Sequence, residues 1–579
     1  MSPFWLVALA LIAYYVAYRV YGKWYDRTVW RPDPNRTTPA HMYMDGVEFF
    51  PVNRYVLWGY QFKSVAALGP ILGPFIAITY GWLPAFLWIV LGNFFIGWLQ
   101  DYGAIMVSVR NEGRSFGPIS YEFTGAAGRN TLLYFILFYL WIISATFIFL
   151  IATFWNIFPS TFVATLGILV TGVLVGQMLY RYKMPIGTIT IIALILVVVS
   201  IWLGMRLPTP KDFLGPWTLA FWAAVTCVIL YLASILPMPT FIQPVNYVAF
   251  FPAYLAIVLI LLGALISPLT GVILQQPAWK TAYAPFVGPI WPILFVAIAC
   301  GAISGWHSLV GSSSTSKQLD IEPDAHPVGA GAMLSEGMLA LASVTAYMVL
   351  SPDELKGMTN IGAWVLGATK LTAPYLGGDV SKAVLTTFFG LTLVIYALTV
   401  QTLVTRFWRL VAGEIFGESV LGQKHVATFI GLLIPWIFAV SGSWINLWLY
   451  FGGSNQLMAG LAIMLITIHL ARVKAPTIYT LAPATFMIVT TLSALAVQTF
   501  YFFQATMYGL ANGKPHPAFV RPPLDQYPGV AIFLNGVFVL VGAALFILGI
   551  RMAVLTYRAY GRFRAAPAAP AAVAGGSKE

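Results

Sequence analysis

Stretches of about 20 apolar residues, each long enough to cross a bilayer core of about 30 Å, recur from one end of this chain to the other. A soluble domain has no core large enough to hide them. Only 9% of the 579 residues are charged, where a soluble protein carries roughly a quarter. Lipid leaves backbone groups no partner but each other, so the spans must be helices. The fold class is an all-α polytopic membrane protein. Fifteen spans are expected, at 4–21, 64–80, 83–108, 131–157, 160–180, 186–204, 216–236, 246–267, 289–311, 329–350, 380–404, 426–446, 448–470, 479–504 and 529–550.

A net charge of +12 could signal nucleic acid or another anionic partner. The loops argue otherwise, because the basic residues alternate in space. One side takes the 23–63 segment, Arg110, Arg114, Arg129, Arg181, Lys183, Arg406, Arg409, Lys424, Arg472, Lys474 and the 551–564 cluster, whereas the other holds only Arg206, Lys211, Lys280, Lys356, Lys370, Lys382, Lys514 and Arg521. The positive-inside rule puts the N-terminus outside and the C-terminus in the cytoplasm. Nucleic acid is not an expected partner; membrane lipid is. The first apolar run has no basic residue ahead of it and reads as an anchoring helix rather than a removed signal. Cys227 and Cys300 both fall within spans, so no structural disulfide is expected. The 23–63 segment is either an interfacial amphipathic element or a folded loop.

Charged and polar groups are costly at membrane depth, at least about 2.5–3.5 kcal/mol for a charge, and so mark functional sites. Four stretches carry them. In "SVAALGPILGPFIAI", Pro70 and Pro74 each remove a backbone donor, and Gly69 and Gly73 permit close approach. An opened helix at Gly69–Pro74 is expected, an ordinary proline kink being the alternative. In "GNFFIGWLQDYGAIMVSVR", Asn93, Gly97, Gln100, Asp101, Ala104 and Ser108 share one helical face. Asp101 either points into the bundle or pairs with Arg110 or Arg114. In "IACGAISGWHSLVGSSSTSKQLD", Cys300, Ser304, His307 and Gly311 form one stripe, followed by Ser312, Ser313, Ser314, Thr315 and Lys317. His307 is a candidate proton carrier, or else a hydrogen-bonding group between helices. The hydroxyl run offers oxygen donors suited to sodium, and a second helix break is expected near Gly311–Thr315. In "SWINLWLYFGGSNQLMAG", Asn455 and Gln456 fall in or between two spans, with a tight turn as the alternative. Glu336, in "GAMLSEG", sits among small residues.

No nucleotide-binding loop, metal-spaced histidine pair or soluble catalytic domain is present in the sequence. Without an ATP module a primary pump is not indicated. A channel, a nutrient receptor and an intramembrane enzyme with His307 and Ser304 or Ser308 as base and nucleophile are the rivals to a carrier.

Taken together, "DGVEFFPVNRYVLWGYQF", "GPILGP", "QDYGAIMVSVRNEGRS", the His307 stretch, "GAMLSEG" and "FGGSNQLMAG" resemble the carbon starvation protein A (CstA) family over about 45–472. The resemblance implies a multipass inner-membrane secondary transporter of a prokaryote, importing peptides or pyruvate-like carboxylates under nutrient limitation, coupled to protons. It also implies an inverted-repeat, LeuT-like core with broken helices. The opposite polarity of the spans at 64–80 and 289–311 agrees with an inverted repeat, but they stand seven spans apart and not five, so either two helices are inserted between the repeats or the repeats lie elsewhere. The chain departs from the family pattern where Tyr60-Gln61 replaces a histidine pair, where Thr315-Ser316 replaces Thr-Pro, and at Ser454-Asn455-Gln456.

These readings divide the chain into an N-terminal helix and basic segment (1–63), a transporter core (64–472), C-terminal helices (473–557) and a disordered tail (558–579). The residues expected to bind substrate or ion are Gly69, Pro70, Gly73, Pro74, Asp101, Ser304, His307, Ser312, Ser313, Ser314, Thr315, Lys317, Glu336, Asn455 and Gln456. No enzyme activity, cofactor or bound metal is expected. A proton is the expected coupling ion, sodium the alternative, and a small nutrient the ligand; the oligomeric state stays open.

Overall fold

Residues 1–285, 287–356, 358–377, 379–442, 444–520 and 524–566 are described by a computed structural model. In chain order its main helices are α1 (Phe4–Trp30), α2 (Arg54–Val65), α3 (Gly69–Ala77), α4 (Trp82–Val109), α5 (Phe116–Ile157), α6 (Thr161–Arg181), α7 (Ile186–Arg206), α8 (Gly215–Ile235) and α9 (Ile242–Leu265). There follow α10 (Ile290–Ala297), α11 (Ala299–Ala302), α12 (Gly305–Ser313), α13 (Glu322–Met348), α14 (Asn360–Leu376), α15 (Asp379–Phe416), α16 (Lys424–Val440), α17 (Trp444–Arg472), α18 (Ile478–Asn512) and α19 (Pro528–Ala565). Among the described residues the one sheet is a two-stranded hairpin, Tyr283–Ala284 with Gly288–Pro289.

Twelve helices among the described residues are long and apolar enough to cross a membrane, and the α2–α3 pair, bent by 45°, makes a thirteenth. The protein is a multi-span membrane protein. The expected count of fifteen differs for a physical reason. The 289–311 segment is cut into three pieces, none of which spans alone, and 426–446 is the 17-residue α16. The structure also adds α14, in a region that reads as a Pro/Gly-rich loop. Its Lys370 is neutralised by Glu354, 3.0 Å away, so an apolar helix with one lysine can pack against α13 and α15.

Burial sorts the helices. All of the most apolar stretch of α17 is buried, and 89% of that of α13, against 22% in α7 and 28% in α1 and α19. The last three therefore form a lipid-facing rim, and α13 and α17 lie at the centre. The long α5 bends at Gly125, whose φ of 75° few other residues adopt.

The first broken helix opens away from the expected place, and the second opens there and at two earlier points. Pro70 falls in the first turn of α3, where its missing N–H deprives no carbonyl. The chain is extended at Ala66, so the first break is Ala66–Leu68 rather than Gly69–Pro74. The second opens at Ile298 and at Ile303–Ser304; α12 then ends at Ser313 with a non-helical Ser314, within the expected Gly311–Thr315 stretch. Gly452–Gln456 lies inside α17, not in a turn. The chain crosses residue 63 within α2, and 558–565 is helix rather than disordered tail; residues 567–579 lie outside the described residues. In the basic N-terminal segment, the stretch after the short helix Pro39–Met42 is a loop fastened to 317–320, Phe50 N–H donating to the Lys317 carbonyl and Val52 N–H to that of Gln318.

Candidate functional site

A helix that opens at membrane depth frees carbonyls, and each needs a donor. The structure supplies one for five of them. Trp306 Nε1 donates to the Ser64 carbonyl (2.8 Å) and Lys63 Nζ to that of Ala66 (3.3 Å). Across the second break, Gln456 Nε2 donates to Ile298 O (3.2 Å), Asn93 Nδ2 to Gly301 O (3.3 Å) and Gln100 Nε2 to Ser304 O. Asn455 caps α12 from another helix: its Oδ1 accepts the Trp306 N–H (3.1 Å) and the Tyr139 hydroxyl (2.7 Å). Asn455 and Gln456 thus hold the break open. The two breaks do not face each other across a cavity; they pack together. A Cβ on Gly73 would strike the backbone of Ala297 and Ile298, and one on Gly69 would come within 2.8 Å of Cys300 Sγ.

His307 stands on the first turn of α12, one step beyond the Ile303–Ser304 hinge. Its Nδ1 lies 3.0 Å from Asp101 Oδ2 on α4, and its Nε2 lies 2.7 Å from Glu336 Oε2 on α13. All three side chains are fully buried. The Glu336 contact is close but not aligned, so neither carboxylate oxygen makes a true hydrogen bond. Asp101 is left to the histidine because the arginines are engaged elsewhere: Arg110 pairs with Glu322 (2.8 Å) and Arg114 with Glu112. With the imidazole protonated, two negative charges meet one positive.

Lys63 was not among the residues picked from sequence. It stands just before an apolar run, and so reads as a loop anchor; in the fold it is fully buried, bonded to Thr399 Oγ1 (2.6 Å) and lying 4.5 Å from the centre of the Tyr396 ring. The only cue was its place three residues before an alanine that must unwind.

The hydroxyl run does not gather at His307. Ser312 bonds back to the Ser308 carbonyl (2.7 Å), Ser314 meets the Tyr60 hydroxyl (2.7 Å), Thr315 donates to Gln61, and Lys317 pairs with Glu48 (2.7 Å). Ser313 and Ser314 instead line a cavity of about 210 Å³ further along α12. Ser304 Oγ contacts Cys300 Sγ (3.4 Å) and Asn455. Gly69, Pro70, Gly73 and Pro74 are packing positions in α3. Cys300, His307 and Glu336 present sulfur, nitrogen and oxygen atoms within 4.8 Å of one another. His307 Nδ1 is bonded to Asp101, and its Nε2 lies close to Glu336.

The sequence model of the family described as carbon starvation protein CstA matches residues 2–366 and 355–494. The chain belongs to the CstA family. Among its relatives, the peptide transporter CstA of Campylobacter jejuni is 29% identical, the match covering 85% of this chain and 80% of that one. The pyruvate/proton symporter BtsT of Escherichia coli is 30% identical over 66% of this chain and 53% of its own length. The Escherichia coli peptide transporter CstA is 27% identical, over 85% and 81%. Among solved structures, a manganese transporter of Eremococcus coleocola aligns over 90% of this chain and 99% of its own, with 13% identity and a TM-score of 0.46.

Proposed function

We propose that the protein is a secondary carrier importing small nutrients, peptides or pyruvate-like carboxylates, across the cell membrane, and that His307, Asp101 and Glu336 form its proton-coupling site. The observation that carries this reading is one fully buried imidazole held between two fully buried carboxylates from two other helices, beside a hinge. A protonated His307 ties α4, α12 and α13 together by charge. Removing that proton leaves two carboxylates facing a neutral ring, so the tie weakens and α12 is free to turn at Ile303–Ser304. Loading and releasing the proton would then bias the hinge between two access states. The names of the CstA and BtsT relatives support the substrate classes.

A proton suits this site better than sodium, because the oxygen donors that would hold sodium are bonded to protein one or two turns away. Transport also fits better than catalysis. Ser308 donates to the Gly305 carbonyl (2.7 Å) and Ser304 to Asn455, so neither hydroxyl is paired with His307 as a nucleophile with its base.

The test is uptake of labelled pyruvate and labelled dialanine into proteoliposomes. An inwardly directed proton gradient should drive accumulation of at least one, and an uncoupler should abolish it. Accumulation that follows a sodium gradient and ignores the proton gradient would overturn the assignment of the coupling ion.

A further inference from the structure

The charged side chains bordering the cavity along α12 are paired, with one exception. Lys317 is matched to Glu48 at 2.7 Å, and Glu414 to Arg129 at 3.7 Å. Arg406 lines the same cavity from α15. It is 9% exposed, and among the described residues it has no carboxylate within ion-pair distance. Of the five N–H groups of a guanidinium, one is bonded, Nη1 to the Leu236 carbonyl at 2.8 Å. A buried cation with free donors needs an anion, and a planar guanidinium matches a carboxylate in a two-pronged bond. The facing wall offers the hydroxyl-bearing Ser313 and Ser314, Ser115 and Gln318 add polar groups, and an apolar stretch is formed by Leu309, Leu403 and Phe407. Ser313 lies six residues beyond His307 on α12, about 9 Å along the helix. Anion and proton would thus be held on the two ends of one short helix that hinges at Ser304.

We infer that this cavity is a binding site for the carboxylate of a small, largely apolar substrate, with Arg406 as its anchor. The inference rests on the carrier reading and deepens it: the ligand must carry a carboxylate, whether as pyruvate or as the C-terminus of a short peptide. Arg406 selects the charge, and the Leu309–Leu403–Phe407 wall accepts the apolar remainder. Coupling then has a simple form, since a carboxylate at Arg406 and a proton at His307 load the same helix.

The experiment is equilibrium binding to the purified full-length protein in detergent, with no gradient, using labelled pyruvate and labelled dialanine as probes. At least one should bind; which one does identifies the source of the carboxylate. Pyruvamide and dialanine amide, which lack the carboxylate, should fail to compete. Arg406→Gln should weaken binding tenfold or more, and Arg406→Lys by less. Because losing the Leu236 contact could disturb folding, the melting temperature of each variant is measured, and competition by the amides on the unaltered protein tests the site without any variant. Amides that compete as well as the acids, a folded Arg406→Gln with unchanged affinity, or no binding of either acid would each overturn the inference. Failure of proton-driven uptake with binding intact would instead strike the coupling reading alone.

Discussion

His307 has one role that its neighbours could not fill: it touches a carboxylate with each ring nitrogen. His307→Gln keeps polarity and approximate size but removes the titration. The expected outcome is loss of accumulation driven by a proton gradient, tenfold or more, with a flattened pH dependence of transport, while exchange of labelled for unlabelled substrate across the membrane persists. Retained accumulation with an unchanged pH profile would make the histidine structural. The three members of this cluster are legible in the sequence as polar residues in apolar runs, but their pairing is not. Asp101 has Arg110 and Arg114 within reach along the chain, and only the fold shows that Glu322 and Glu112 engage those arginines. Lys63 and Arg406 stay hidden for a related reason. Each follows or precedes a long apolar run, and a basic residue there reads as an anchor at the membrane surface whether it faces water or a cavity.

At the scale of elements, the two Gly-Pro steps reveal that α3 is special without revealing where it opens. A proline inside a helix and one at its first turn look alike in sequence, yet only the former removes a bond. Pro70 begins α3 and Pro74 lies within it, so Pro74→Ala should restore an N–H able to reach the Pro70 carbonyl. Its melting temperature should equal or exceed that of the unaltered protein, with uptake kept. Gly73→Leu should do the opposite, because its side chain would push α3 off the backbone of Ala297 and Ile298. An overpacking cost of about 1–3 kcal/mol or more should lower the melting temperature and abolish uptake. If Pro74→Ala abolished transport at unchanged stability, the opened segment would extend into α3 after all.

A second element, outside the spans, permits a pH test. Ser351 caps the short helix Pro352–Leu355: its hydroxyl accepts the Glu354 N–H (3.1 Å), and the Glu354 carboxylate accepts the Ser351 N–H (2.6 Å) and bonds Lys370 (3.0 Å). Slight burial would raise the carboxyl pKa, but these donors outweigh it and hold the group below its ordinary 4.5. A lowered folded value favours the ionised form in the fold. The stabilisation is therefore complete above the ordinary value and is lost as pH falls through the lowered one. Glu354→Gln should destabilise by about 0.5–1 kcal/mol at neutral pH, given the partial exposure of the pair. Thermal melts at neutral pH and at a pH below the carboxylate range should show the difference between the two proteins shrinking toward zero. A constant difference would mean that packing rather than charge holds the cap.

For the whole molecule, alternating apolar runs and basic loops establish a multi-span bundle, and the buried α13 and α17 could be picked out by their small and polar residues. What sequence could not supply is which runs are single helices, because length and hydropathy do not register a change of direction inside the membrane. The side on which each terminus lies follows from a separate argument, the uneven distribution of lysine and arginine between loops. If that rule holds here, the Glu48–Lys317 pair and the mouth of the Arg406 cavity lie on the basic, cytoplasmic side, which for an importer would be the side of release. A single cysteine introduced at Pro517, between α18 and α19, should react with a membrane-impermeant maleimide added to intact cells. One introduced at Arg562, near the end of α19, should react only after the membrane is opened. Cys227 and Cys300 are half-buried and buried, so a protein carrying only these two supplies the background. The reverse pattern would place the Arg406 cavity at the outer face, making it an entry site. The carboxylate would then have to leave past His307 rather than meet Arg406 last.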